Sequence, residues 1–117
     1  MTDKDTMRLS EQVCNRDQQN IGKLDDADIA KLLKEIHQDW IAHIEPRQLV
    51  RVFRFKGFAK ALQTANVIAW LGDQQGHHPD INFGWGYCVV KFSTHDIDGL
   101  SINDFICAAK VDVLMAG

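Results

Sequence analysis

Two adjacent histidines held in front of a proline, Gly76-His77-His78-Pro79, and a third histidine, His95, carry the chemistry that this chain can offer. Three of its five histidines fall between Asp73 and His95. Imidazole, with an unperturbed pKa of about 6.5, gives and takes protons near neutral pH. Pro79 disfavours helical backbone at His78, so a preceding helix must end about there. In the extended stretch that results, successive side chains diverge, and His77 and His78 cannot do the same job. Three roles are open to the trio. They can be structural, half-exposed turn residues. They can hold a metal, since three imidazoles suffice for catalytic zinc, although no H-x-x-x-H or H-x-H spacing sets two on one face. Or they can be general acids and bases, which contribute typically about 10²- to 10⁴-fold in rate. Spacing alone does not choose.

The elements that must position these residues follow from periodicity. Asp25 or Asp26 caps a short helix whose apolar face is Ile29, Leu32, Leu33 and Ile36. Trp40 and Ile41 begin a brief strand, Glu45-Pro46-Arg47 is a turn, and Leu49 to Phe55 is rich in β-branched and aromatic residues, as strands are. The longest helix opens at Lys56 or Gly57 with a stripe of Phe58, Ala61, Leu62, Ala65, Ile68, Ala69 and Leu71, and stops near Gly72 to Gly76. Trp70 lies off that stripe, at a domain edge or a subunit contact. Ile81–Trp85 and Tyr87–Ser93 read as two strands joined by a tight turn. Ser101-Ile102-Asn103-Asp104 resembles a capping box for a last helix that buries Ile102, Phe105, Ile106, Ala109 and Val113. The order α-β-β-α-β-β-α predicts an α+β domain: a four-stranded antiparallel sheet with three helices packed on one face.

Composition sets the outer bounds. At 117 residues and 45% hydrophobic, the chain suits one domain, and no apolar run is long enough to span a bilayer. Residues 1–23 show neither helical nor strand period and are expected to form a mobile tail, leaving 24–117 as the folded domain. They contain no apolar stretch of the secretory kind. Three scattered cysteines, with no C-x-x-C pair, point to free thiols in a reducing cytoplasm. A net charge of −3 with dispersed Lys and Arg argues against a direct nucleic-acid partner.

The runs Asp73-x-x-x-His77-His78-Pro79, Trp85-Gly86, Ser93-Thr94-His95 and Gly99-Leu100-Ser101-x-x-Asp104-Phe105 together resemble the pterin-4a-carbinolamine dehydratase family. Phe53-x-Phe55-Lys56-x-Phe58-Ala59-x-Ala61-Leu62 is similar to that family's strand-to-helix segment, and the resemblance extends from about Leu24 to Val113. It implies an enzyme that converts a 4a-hydroxytetrahydropterin to quinonoid dihydropterin and water, in recycling of a tetrahydrobiopterin-type cofactor. No metal and no bound cofactor are implied. Carried over by position, His77, His78 and His95 line a pterin pocket as the catalytic residues, with His77 and His95 the acid–base pair and His78 a binding or orienting residue. Asp73 stands where the family has an acidic residue that orients the histidines. Trp40, Pro79 and Thr94 join it as substrate-binding residues. Asp104 matches too, but helix capping accounts for it. Ile81 departs from the aromatic of animal members, and residues 1–23 lie outside the pattern. The resemblance also implies a homodimer or homotetramer. A second reading comes from animal members that serve as dimerisation partners of a homeodomain transcription factor: a non-catalytic binding module.

Overall fold

The computed structural model describes residues 7–116. Three helices, α1 (Asp26–Leu33), α2 (Ala59–Gln75) and α3 (Ile102–Met115), accompany four strands, β1 (Ile41–His43), β2 (Gln48–Arg54), β3 (Asp80–Gly84) and β4 (Tyr87–Phe92). The strands form one antiparallel sheet, as expected from the sequence, and stand in the order β1-β2-β4-β3. Registers such as Phe53↔Cys88 and Ile81↔Val90 bring like-facing apolar residues opposite one another. One face of the sheet, carrying Leu49, Phe53, Cys88, Val90 and Phe92, forms the core with Ile68 and Leu71 of α2, Phe105, Ile106 and Cys107 of α3, and Ile29 of α1. On the other face Ile41, Val52 and Tyr87 remain exposed. Among the described residues, no helix is long and apolar enough to cross a membrane.

Helix boundaries have local causes. Asp25 caps α1 by accepting from the Asp28 amide at 2.8 Å. Ser101 and Asp104 form a complete capping box at the start of α3. α2 ends at Gly76 in the left-handed region (φ 65°), where glycine carries no steric penalty, and the chain turns directly into His77. The buried face of α2 is rotated from the expected stripe. Ala61, Thr64, Ala65, Ile68, Leu71 and Gly72 pack inward, while Phe58, Leu62 and Ala69 are exposed, as is Trp70, which the stripe already left outside. At the last turn of this face, α2 lies close to the loop before β3. A Cβ on Gly72 would stand 2.9 Å from Pro79 Cδ and 3.3 Å from the His77 carbonyl oxygen.

The sequence predicts a mobile tail over residues 1–23, and the structure places residues 7–23 otherwise; residues 1–6 lie outside the described residues. Leu9, in a short 3-10 turn, and Cys14 are buried in the core. The segment is otherwise held by polar bonds. Asn103 of α3 takes the Asn15 amide at 2.9 Å and gives its own side-chain N–H to the Asn15 carbonyl at 2.7 Å. Lys110 Nζ donates to the Ser10 carbonyl at 2.8 Å, and the Leu24 amide to the Leu100 carbonyl at 2.8 Å. Single apolar anchors and backbone-directed hydrogen bonds leave no periodic trace, which is why the segment reads as unstructured. Cys14 Sγ lies 3.5 Å from Cys107 Sγ. The hydrogen bond from Cys107 holds the Cys14 thiol below its usual range, and the same contact together with burial pushes Cys107 far above it.

Candidate active site

Where α2 gives way to β3, and β4 to the 3-10 turn His95–Ile97, the chain leaves an open cleft of about 190 Å³ lined by Gln18, His77, His78, Ser93, His95 and Asp96. The three histidines singled out by the sequence thus converge on one site. The cleft is smaller than the roughly 300–1,000 Å³ pockets that enclose drug-sized ligands.

The histidines are not equivalent. His77 is buried, and both ring nitrogens are engaged: Nε2 lies 2.6 Å from Asp104 Oδ1 and Nδ1 lies 2.7 Å from Gln18 Oε1. Its ring stacks on Phe92, with centroids 6.0 Å apart and planes 12° from parallel. His78 is exposed and sits 3.0 Å from Asp73 through Nε2. His95 is exposed, and among the described residues its ring has no hydrogen-bond partner.

Behind His77 the polar groups form one directed network. The Thr94 hydroxyl donates to Asp104 Oδ2 at 2.8 Å, and the Ser101 amide donates to the same oxygen at 2.9 Å. Because the Thr94 proton is spent on Asp104, the Ser101 hydroxyl donates to Thr94 Oγ1 at 2.7 Å, and Ser101 Oγ in turn accepts from the Asn103 amide at 3.2 Å. Asp104, Thr94, Ser101 and Asn103 are fully buried, so each unpaired group would cost its full desolvation. None is left unpaired. The carboxylate of Asp104 therefore does two things, closing the helix cap and holding His77.

The remaining predicted binding residues lie behind or beside the cleft. Trp40 is buried, donates from Nε1 to Asp112 Oδ1 at 2.8 Å and tilts against Phe92 at 6.1 Å, so Phe92 separates it from His77. Thr94 is turned inward to Asp104, not outward to a ligand. Pro79 packs under Gly72, and Asp73 reaches the site only through His78. Ser93 and Asp96 line the cleft without having been singled out, and Asp104 and Gln18, which hold His77, were missed as well. Asp104 reads as a cap from its spacing alone, and Gln18 sits in the stretch that shows no period. Among the described residues, no three His, Cys, Asp or Glu side chains are grouped so as to hold a metal ion.

Comparison with known proteins identifies the family. The family model for pterin 4 alpha carbinolamine dehydratase matches residues 22–114. A protein of Rickettsia bellii, provisionally named a pterin-4-alpha-carbinolamine dehydratase, is 40% identical over 109 residues, covering 93% of this chain and 96% of that protein. One from Nitrosomonas europaea with the same provisional name is 39% identical over 106 residues, or 91% and 92%. Among solved structures, a transcriptional coactivator/pterin dehydratase from Brucella melitensis shares the fold, with a TM-score of 0.73 at 22% identity over 80% of this chain and 98% of that one. A pterin dehydratase-like protein described as a RuBisCO assembly factor in the alpha-carboxysome aligns with a TM-score of 0.56 at 28% identity, over 67% and 90%. With the match spanning the sheet, all three helices and the three histidines, this chain belongs to the pterin-4-alpha-carbinolamine dehydratase family.

Proposed function

We propose that the chain dehydrates a 4a-hydroxytetrahydropterin to the quinonoid dihydropterin, the step that returns a tetrahydrobiopterin-type cofactor to its cycle. The observation that carries the reading is the convergence of His77, His78 and His95 on one cleft in a chain of this family. The pterin ring supplies the electron push that expels the 4a oxygen. The site has only to give that oxygen a proton, so that it leaves as water, and to accept the proton lost from a ring nitrogen. His78 and His95 are the exposed imidazoles and exchange these protons, one as imidazolium and the other as neutral base. Because both nitrogens of His77 face Asp104 and Gln18, His77 forms a fixed wall of the cleft rather than a partner in the exchange. That differs from the pairing of His77 with His95 expected by carry-over. Asp73 orients His78.

In this reading the protein works as a homo-oligomer without a metal or a bound cofactor, away from membranes and nucleic acid, in the cytoplasm. The exposed apolar side chains of Leu62, Val67 and Trp70 on α2, and of Phe58 at its N-terminus, support assembly, since an interface would cover them. A second reading, a binding module, is favoured by the roles named for the two similar solved structures, a transcriptional coactivator and an assembly factor.

The test is a spectrophotometric assay of carbinolamine dehydration. His78→Ala and His95→Ala should each lower kcat on the order of 10²-fold, and the double variant should lose far less than the product of the two. A double variant as fast as the parent chain refutes the assignment. A parent chain that leaves dehydration at its uncatalysed rate hands the protein to the binding-module reading.

A further inference from the structure

Gln18 lies upstream of residues 22–114, which the family model matches, yet its amide bridges two parts of the site. Nε2 donates to the Gly76 carbonyl at 2.9 Å, and Oε1 lies 2.7 Å from His77 Nδ1. The orientation of the amide is determined by its surroundings. A carbonyl can only accept, so the NH₂ end must face Gly76 and the oxygen must face the imidazole. An amide oxygen in turn only accepts, and His77 Nδ1 must carry the proton between them. The Asp104 carboxylate likewise only accepts, so Nε2 donates to its Oδ1 at 2.6 Å.

The bridge rests on a supported segment. Arg16 Nη2 donates to the Gln74 carbonyl at 2.9 Å, and a Cβ at Gly76 would collide with the Arg16 guanidinium. The Cys14 amide donates to Gln75 Oε1 at 3.0 Å, and Asn15 is held twice by Asn103. Residues 14–18 thus wrap the last turn of α2, with Gln18 aimed at the ring by its neighbours.

We propose that Gln18 is a positioning residue of the site, holding the proton on His77 Nδ1 on the side of the ring opposite the Asp104 bond and keeping the ring flat against Phe92. The inference builds on the dehydratase reading. The N-terminal stretch then belongs to the active site, and a chain trimmed to the family boundary carries an incomplete one.

The experiment compares Gln18→Met, which keeps length and removes both bonds, with Gln18→Glu, which restores an acceptor for Nδ1. The readouts are ¹⁵N NMR of the imidazoles and dehydration kinetics. The parent chain and Gln18→Glu should show His77 protonated at Nδ1. Gln18→Met should lose that signature and about tenfold in kcat/KM, a loss in the range seen when an orienting partner of a site histidine is removed. Most of the loss should return in Gln18→Glu. A Met variant that keeps the Nδ1 signature and its rate overturns the proposal, and so does a Glu variant no better than Met. If Gln18→Met does not fold, loss of the Nδ1 signature in Gln18→Glu overturns it and retention upholds it. Should the parent chain prove inactive, the dehydratase reading fails by itself while the NMR comparison still decides the role of Gln18.

Discussion

Replacing Asp104 by Ala separates two accounts of one carboxylate. If Asp104 only completes the α3 cap, its loss costs about 1 kcal/mol. If it also holds His77, the variant strips a buried, hydrogen-bonded partner from a ring that is itself buried, and the loss of one side of such a pair costs about 3–5 kcal/mol. Near 100 residues, 1 kcal/mol corresponds to roughly 4 °C in melting temperature, so the accounts predict drops of about 4 °C and about 12–20 °C. The structure favours the larger value: the Asp104 and His77 side chains are 0% and 3% exposed, at 2.6 Å, and water cannot take the missing place. Circular dichroism melts of Asp104→Ala, His77→Ala and the double variant form a cycle. The coupling should be about 1.5–3 kcal/mol, the worth of a hydrogen bond to a charged group. A drop near 4 °C, or additivity within about 0.5 kcal/mol, refutes the pairing and returns Asp104 to a plain cap.

Three more outcomes follow from the geometry. Deleting residues 1–23 should lower the melting temperature by several degrees and slow dehydration, because Leu9, Cys14 and the clasp on Asn103 go together; a truncated chain with parental melting shows that the segment is not packed. Gly72→Ala should cost about 1–3 kcal/mol and disturb the cleft, since the new Cβ meets a proline ring and a backbone oxygen that cannot turn aside; an unchanged melt and rate refute it. Burial raises the Cys88 thiol above its ordinary 9.0, so above that pH the unfolded chain releases a proton that the folded chain keeps, and stability falls as pH rises. Melting curves through pH 9.0 should decline more steeply for the parent than for Cys88→Ala; equal slopes refute this contribution.

Much of the molecule was legible in the sequence. The strands announced themselves by alternation in Tyr87–Phe92 and by β-branched density in Gln48–Arg54, and the helix stop by Gly76 before the His-His-Pro run. The convergence of His95 on His77 and His78 came from resemblance, because no spacing rule joins a turn after one strand to a turn before another. What stayed hidden was long-range and polar. Gln18 meets His77 across 59 positions and Asn15 meets Asn103 across 88, and bonds of this kind leave no period. Trp40 and Thr94 matched the family by position, yet the side chains turn away from the cleft, which pattern alone does not reveal. On α2, hydrophobicity drew the stripe through Phe58 and Leu62, whereas the inner face carries Ala61, Thr64, Ala65 and Gly72, the last in close approach to Pro79.

The three tryptophans divide into two optical classes. Trp70 and Trp85 are more than half exposed, and their fluorescence should sit near that of indole in water and yield to soluble quenchers. Trp40 is buried, anchored to Asp112 of α3 through its indole N–H and one ring away from His77 through Phe92. Its emission should therefore be blue-shifted and resistant to quenchers, and should watch the wall of the cleft from behind. With Trp70 and Trp85 changed to Phe, the protein becomes a single-colour probe of its own site, in which loosening of the Phe92–His77 stack is seen as a red shift before the chain unfolds.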